Sequence, residues 1–134
     1  MTKITDEMKQ IAEKAKVFTV GTATKNGEPN VIPMTFAKVL SDDEVLLMNN
    51  FMKKTIENIR ANPRVAISVW KQGDSEGYQF KGNARIETSG KVFDDGVNWV
   101  RTTSPTLNPK AAIIVKVDSI YSITPGPDAG KKLG

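Results

Sequence analysis

The fold is decided by one stretch of the chain, Asn49-Asn50-Phe51-Met52-Lys53-Lys54-Thr55-Ile56-Glu57-Asn58-Ile59-Arg60-Ala61-Asn62-Pro63, in which a strand turns into a short helix. Val45 to Met48 precede it as an uninterrupted apolar run, which predicts a buried strand. Inside the stretch, three apolar residues recur at the spacing of one helix face: Met52, Ile56 and Ile59. Pro63 ends this predicted helix, because the residue before a proline avoids the helical conformation.

The start of the predicted helix carries three side chains that can bind an anion, Lys53, Lys54 and Thr55. The first backbone N–H groups of a helix have no partner within it, and they lie at the positive end of the helix dipole. An anion at this position would contact those groups together with two ammonium groups and one hydroxyl. The pattern fits two interpretations, a phosphate site and a solvated lysine pair on an ordinary surface helix.

The composition is typical of one globular domain and excludes many kinds of catalysis. The chain has 134 residues, of which 39% are hydrophobic and 25% charged, enough to build a single core. It contains neither Cys nor His, which excludes a thiolate nucleophile, a disulfide, the usual proton shuttle and the commonest metal ligands. Most enzymatic activities would therefore require a cofactor to supply the chemistry.

The charge pattern indicates solubility more than nucleic-acid binding. The net charge of +4 is spread along the chain, and only Lys53-Lys54 and Lys131-Lys132 are adjacent basic pairs. A nucleic-acid surface would gather basic residues into a stripe with interleaved aromatic residues. No apolar run approaches the roughly 20 residues that span a bilayer, and Asp6 and Glu7 lie where a signal peptide would be apolar. We therefore expect a cytoplasmic protein that binds neither membrane nor nucleic acid.

Periodicity and turn residues divide the remaining chain into short elements. Helices are expected from about Asp6 to Lys16, with Thr5 as N-cap and an apolar stripe of Met8, Ile11, Ala12 and Ala15, and around Val92 to Val100, where Gly96 weakens the pattern. Strands are expected at Val17 to Thr22, Asn30 to Val39, Val45 to Met48, Val65 to Trp70, Tyr78 to Glu87 and Ala111 to Val117, the last continued or paired by Ile120 to Ile123. Asn26-Gly27 predicts a tight hairpin, because both residues can take positive φ. Together these elements predict one domain over residues 1–134, a mainly β, six- to seven-stranded antiparallel barrel with two or three short helices. A Gly/Pro-rich tail follows at 124–134.

Several short motifs follow one another in order: Val20-Gly21-Thr22-Ala23-Thr24, Asn26-Gly27-Glu28-Pro29, Phe36-Ala37-Lys38-Val39-Leu40, Met52-Lys53-Lys54-Thr55, Asn62-Pro63-Arg64-Val65, Phe80-Lys81-Gly82-Asn83-Ala84 and Ala111-Ala112. Their order and spacing from Val17 to Ile123 resemble the flavin-binding split barrels of the pyridoxamine 5'-phosphate oxidase-like superfamily. The small bacterial FMN-binding proteins of that superfamily are the most similar in length.

This resemblance implies a homodimer with FMN at the subunit interface and its phosphate at the start of the short helix. The implied cofactor-binding residues are Lys53, Lys54 and Thr55 for the phosphate, Asn49 and Asn50 in the lining of the site, Val31, Ile32, Pro33, Met34, Thr35 and Phe36 along the flavin ring, and Gln79 and the loop around Leu107 and Asn108 from the other subunit. For Val31, Ile32, Met34 and Phe36, ordinary strand packing is the alternative. We also expect a second copy to cover apolar faces formed by Phe80, Ile113 and Val115. No catalytic residue and no metal site is identified.

Two departures from the family pattern argue against oxidation of vitamin B6. Pyridoxamine phosphate oxidases carry an arginine in the second strand where this chain has Ile32. They also carry a C-terminal substrate-binding segment that has no counterpart after Ile123.

Three functions remain open. The first is an oxidoreductase or electron-transfer protein whose bound FMN carries hydride or electrons. The second is the same fold with deazaflavin F420 or heme, and the third is a small barrel without a redox cofactor that binds nucleic acid or no ligand.

Overall fold

Residues 2–134, which the computed structural model describes, form three helices and seven strands. In chain order these are α1 (Asp6–Lys14), β1 (Phe18–Ala23), β2 (Pro29–Met34), β3 (Ala37–Ser41), β4 (Glu44–Asn49), α2 (Lys54–Ala61), β5 (Arg64–Trp70), β6 (Gly77–Glu87), α3 (Lys91–Thr103) and β7 (Ala111–Ser122). The mainly β class and the antiparallel barrel predicted from the sequence are confirmed. Among the described residues, no helix is both long and apolar enough to cross a membrane.

The sheet runs in the order β2-β1-β5-β6-β7-β4-β3, with every neighbouring pair antiparallel. The single strand predicted from Asn30 to Val39 is wrong, because Thr35 and Phe36 separate β2 from β3. β2 and β3 lie at opposite edges of the sheet, yet with only two residues between them the Cα atoms of Met34 and Ala37 are about 11 Å apart at most. The two edges must therefore approach each other, so the sheet curls into a split barrel.

The main core fills the inside of the curled sheet, where α1 and α2 also pack. The apolar stripe predicted for α1 is confirmed, since Met8, Ile11, Ala12 and Ala15 are all buried in this core. Thr5 caps α1 as predicted, its Oγ1 accepting from Met8 N at 3.3 Å, although the helix ends at Lys14 and not at Lys16. Ile56 and Ile59 place α2 against the same core.

α3 covers the opposite, convex side of β4 and β7. Leu46, Met48, Ala112 and Ile114 form a second apolar cluster with Val100 of this helix. Alternate residues of the same strands face the main core, so β4 and β7 are apolar on both faces. Gly96 allows the helix to lie close, because a Cβ added there would be 2.9 Å from Met48 Cε. The glycine that weakened the sequence pattern therefore leaves room for the end of the Met48 side chain.

One expectation about exposed surface is wrong. Phe80, Ile113 and Val115 are fully buried inside a single chain, so they form no apolar face for a second copy to cover. The cause is the curl of the sheet, which turns these residues inward.

The structure also defines two connections that the sequence left partly open. Only Gly27 of the Asn26-Gly27 pair has positive φ (88°), and its N–H donates to Thr24 O at 3.0 Å. Of the two arrangements expected for Ile120 to Ile123, the structure has the continuation: β7 runs from Ala111 to Ser122. Lys81 pairs with Ser119 and Gly82 with Val117, so Asp118 of β7 is the extra residue at a register shift. The tail folds back along the end of β7, where Leu133 N donates to Ile120 O at 2.7 Å.

Candidate functional site

A cavity of about 430 Å³ opens where the β2–β3 bend, the end of β4 and the start of α2 meet. Several residues predicted from the sequence line it: Ile32, Pro33, Met34, Thr35, Asn50, Lys53, Lys54 and Thr55. Phe36 and Leu107, which the family resemblance also placed at the site, belong to the lining, and the structure adds four residues that the sequence did not indicate: Asn30, Met48, Phe51 and Met52. The local strand-to-helix motif thus marks one wall of the cavity, and the remaining walls come from distant parts of the chain.

Four predicted residues lie outside the cavity lining. Val31 is 65% exposed on the outer face of β2, and Gln79 is half-buried on β6 opposite Ser68. Asn108 accepts a hydrogen bond from Arg101 Nη2 at 2.7 Å, which fixes the loop next to the lining residue Leu107. Asn49 is buried, and its Oδ1 accepts from Met52 N at 2.9 Å. Asn49 therefore shapes the loop that leads into α2.

The polar end of the cavity is positively charged. Lys53 and Lys54 are the charged residues of its lining, and within residues 2–134 neither forms a salt bridge. Lys53 occupies the N-cap position of α2, and no side chain accepts a hydrogen bond there from the first turn of the helix. The unpaired N–H groups of this turn and the helix dipole add to the positive potential. This end of the cavity can bind an anion.

A buried polar network holds the first turn of α2 in place. Asn30 Nδ2 donates to Thr55 Oγ1 at 2.9 Å and to Thr22 Oγ1 at 3.2 Å, while Asn58 Nδ2 donates to the same Thr22 oxygen at 3.0 Å. Thr55, Thr22 and Asn58 are all buried. Because Thr55 Oγ1 already accepts from Asn30, its hydroxyl hydrogen is available to donate to a ligand.

The rest of the cavity is mainly apolar. Ile32, Met34, Phe36, Met48, Phe51, Met52 and Leu107 supply its walls, and Phe51 is 77% exposed. Phe36 is held by an edge-to-face contact with Trp99, with ring centroids 5.8 Å apart. A cavity with apolar walls and one cationic end suits a flat ring system that carries a phosphate.

Asn50 carries an unusual polar atom in this lining. Its Nδ2 lies 3.5 Å from Met48 O, and its Oδ1 is buried without any hydrogen-bond partner. No other buried side-chain nitrogen or oxygen within residues 2–134 is left unpaired. Buried acceptors are nearly always satisfied in folded proteins, so this one requires an explanation.

Comparison with known proteins agrees with this architecture. The family model described as pyridoxamine 5'-phosphate oxidase matches residues 4–124. An uncharacterized protein of Methanocaldococcus jannaschii is 40% identical over 131 residues, which cover 96% of this chain and 87% of that protein. The crystal structure of HupZ from Group A Streptococcus has a TM-score of 0.84 and 28% identity, covering 95% of this chain and 99% of HupZ.

More distant structures share the fold alone. An FMN-binding protein from Syntrophomonas wolfei has a TM-score of 0.73 and 18% identity, covering 85% of this chain and 86% of that one. An F420 reductase and the heme storage protein HutZ from Vibrio cholerae have TM-scores of 0.64 and 0.67. The names of these three proteins refer to FMN, F420 and heme.

Proposed function

Because this chain belongs to the pyridoxamine 5'-phosphate oxidase family, we propose that it is a flavoprotein that holds FMN in the cavity between the β2–β3 bend and α2. The observation that carries the proposal is the pairing of apolar walls with a cationic helix start, in a lining that contains no carboxylate. Bound FMN would supply hydride or electron transfer, which suits a chain that has neither His nor Cys. The protein is an oxidoreductase or an electron carrier on this proposal.

The residues of the chain have separate tasks in this scheme. Lys53, Lys54 and the uncapped N–H groups of α2 hold the phosphate, and Thr55 donates its hydroxyl hydrogen. Charge-assisted hydrogen bonds of this kind contribute about 1.5–3 kcal/mol each. Phe36 and Met48 form part of the apolar wall, which excludes water from the flavin ring. The hydrogen bond from Asn30 to Thr55 fixes the position of β2, which lies along the ring, relative to the start of α2, which binds the phosphate.

Oxidation of vitamin B6 is not part of the proposal. Ile32 lies in the cavity lining, where the resemblance to pyridoxamine phosphate oxidases would require an arginine. An isoleucine side chain offers packing area but no charge for a phosphorylated substrate.

We further propose that the protein is a homodimer, built through the convex face of β2, β1, β5 and β6. α3 covers the convex face at β4 and β7, and the contacts of α1 and α2 are with the main core inside the barrel. One row of cross-strand neighbours runs over these four strands: Pro33 pairs with Thr19, Thr19 with Ser68, and Ser68 with Gln79. All four side chains point away from the core. A two-fold axis through the middle of this row would bring the partner's Gln79 to Pro33, which lines the cavity.

The proposal is tested by the visible spectrum of the purified protein, followed by chromatography of the cofactor released by heat. FMN is expected, with absorbance bands of an oxidised flavin and release of the phosphorylated form. Release of F420 or heme would show that the protein binds that cofactor in place of FMN. A colourless protein that fails to bind added FMN, F420 or heme would contradict the proposal and favour the third function, a barrel without a redox cofactor.

A further inference from the structure

We propose that Asn50 recognises the ring of the ligand by accepting a hydrogen bond from the imide N–H of its pyrimidinedione. This inference rests on the proposed flavin site and names the chemical group that the site selects. It starts from the buried Oδ1 of Asn50, which has no partner within the described chain.

The orientation of the amide is determined by its neighbour. Asn50 Nδ2 lies 3.5 Å from Met48 O, at the limit of a hydrogen bond. Exchanging the oxygen and nitrogen would place two acceptors against each other, so the oxygen is the atom without a partner. A contact of 3.5 Å also holds the amide weakly, and the residue as a whole is only half-buried. A small rotation of the side chain can therefore turn Oδ1 towards the cavity that Asn50 lines.

The surroundings of Asn50 indicate the kind of donor it would meet. Met48, to whose carbonyl the amide is directed, belongs to the apolar part of the lining, and its N–H donates to Phe36 O at 2.9 Å. Asn50 thus lies at the wall suited to a flat ring, while Lys53 and Lys54 mark the phosphate end. In an oxidised isoalloxazine the imide is the ring's N–H donor, and a porphyrin with bound metal offers no such group. The site therefore selects flavins and deazaflavins over heme.

The unpaired acceptor predicts that one substitution will raise the stability of the ligand-free protein and lower its affinity for FMN. Replacing Asn50→Leu removes a buried acceptor that is unsatisfied without ligand, so the ligand-free protein should become more stable, with its melting temperature raised by roughly 3 °C or more. The same change should weaken FMN binding by about tenfold, which corresponds to one lost hydrogen bond. An amide with only a structural role would lower both quantities together.

The ligand itself supplies the second half of the experiment. Dissociation constants for FMN and for FMN methylated at the imide nitrogen are measured by quenching of flavin fluorescence. The natural protein should bind the methylated compound about tenfold more weakly, and the Asn50→Leu protein should bind both equally. Lumiflavin and its imide-methylated form, which lack the ribityl chain, should show the same preference. If the natural protein bound FMN and its imide-methylated form equally, the donor to Asn50 would not be the imide, and the inference would be overturned.

Asn83→Leu is the matched control, because Asn83 Oδ1 is satisfied by Arg64 Nη1 at 3.2 Å and lies outside the cavity. It should leave the FMN affinity unchanged and should not raise the melting temperature. Equal discrimination against the methylated flavin in the natural and Asn50→Leu proteins would refute the role of Asn50 while leaving FMN binding intact. Failure of the natural protein to bind FMN at all would instead refute the proposed function.

Discussion

Lys53 and Lys54 are adjacent in sequence but hold different places, the first at the N-cap of α2 and the second as its first residue. Replacing both by Ala should weaken FMN at least about a hundredfold, since each charge-assisted contact contributes about 1.5–3 kcal/mol. Riboflavin, which has no phosphate, should lose little affinity. Isothermal titration calorimetry with both ligands provides the measurement.

The chain contains a matched control for this prediction, the adjacent pair Lys131-Lys132 in the tail. Both residues are exposed, and replacing both by Ala changes the net charge by the same amount without touching the cavity. This control should bind FMN normally. If the Lys53 and Lys54 variant loses FMN and riboflavin equally, the lysines act through folding and not through the phosphate.

Individual site residues were predictable from the sequence where the signal is local. Lys53, Lys54 and Thr55 are consecutive at a strand-to-helix junction, and the structure brings all three into the lining of one cavity. Asn30 lies outside the motif at the helix start and reaches the cavity through strand pairing. Leu107 reaches the cavity through the loop after α3, and only the family resemblance indicated it. The unpaired oxygen of Asn50 is a property of packing and leaves no trace in the sequence.

At the scale of elements, α3 is tied to the sheet by the close approach at Gly96. Ala at this position gains helix propensity, worth up to about 1 kcal/mol, but its Cβ would press on Met48, which is fully buried. Overpacking of a filled core costs about 1–3 kcal/mol, so Gly96→Ala should destabilise the protein. Because Met48 lines the cavity, FMN affinity should fall as well.

Urea unfolding of the ligand-free protein tests the effect of Gly96→Ala on stability, and Gly134→Ala is a control because nothing lies near a Cβ added there. An increase in the free energy of unfolding for Gly96→Ala would show that α3 can move away from the sheet at no cost. The contact between helix and cavity wall would then be looser than the packing indicates.

Element types followed well from periodicity, and element ends and connections did not. The stripe of α1 and the apolar run of β4 are strong local patterns. The break at Thr35 and Phe36 has no Gly or Pro of its own, and only the position of β4 as partner of β3 reveals it. Strand pairing between distant segments depends on tertiary contacts, so the local pattern predicts β2 and β3 as one strand.

At the scale of the whole molecule, the proposed dimer makes a direct prediction. Light scattering at micromolar concentration should report twice the mass of the 14.7 kDa chain. Ala66 lies on the convex face, paired with Gly21 on one side and Lys81 on the other. Ala66→Arg would add a second cation beside Lys81 within the interface, so it should shift the protein to monomers and weaken FMN.

Thr102→Arg, on the exposed side of α3, adds the same charge outside the proposed interface and should leave the dimer intact. A natural protein that stays monomeric and still binds FMN with full affinity would contradict a site shared between subunits. It would leave the cavity of the single chain as the complete site.

The two-residue bend between β2 and β3 has a kinetic consequence. The cavity exists only when both edges of the sheet have met, since its lining comes from β2, from β4 and from the start of α2. Pairings between such distant segments are slow to form, and we expect the closure to complete late, after the rate-limiting barrier of folding. A ligand bound there would then stabilise the closed barrel after it has formed. Stopped-flow measurements should show that FMN leaves the refolding rate unchanged and slows unfolding, so the cofactor would lengthen the lifetime of the folded state without helping the chain to reach it.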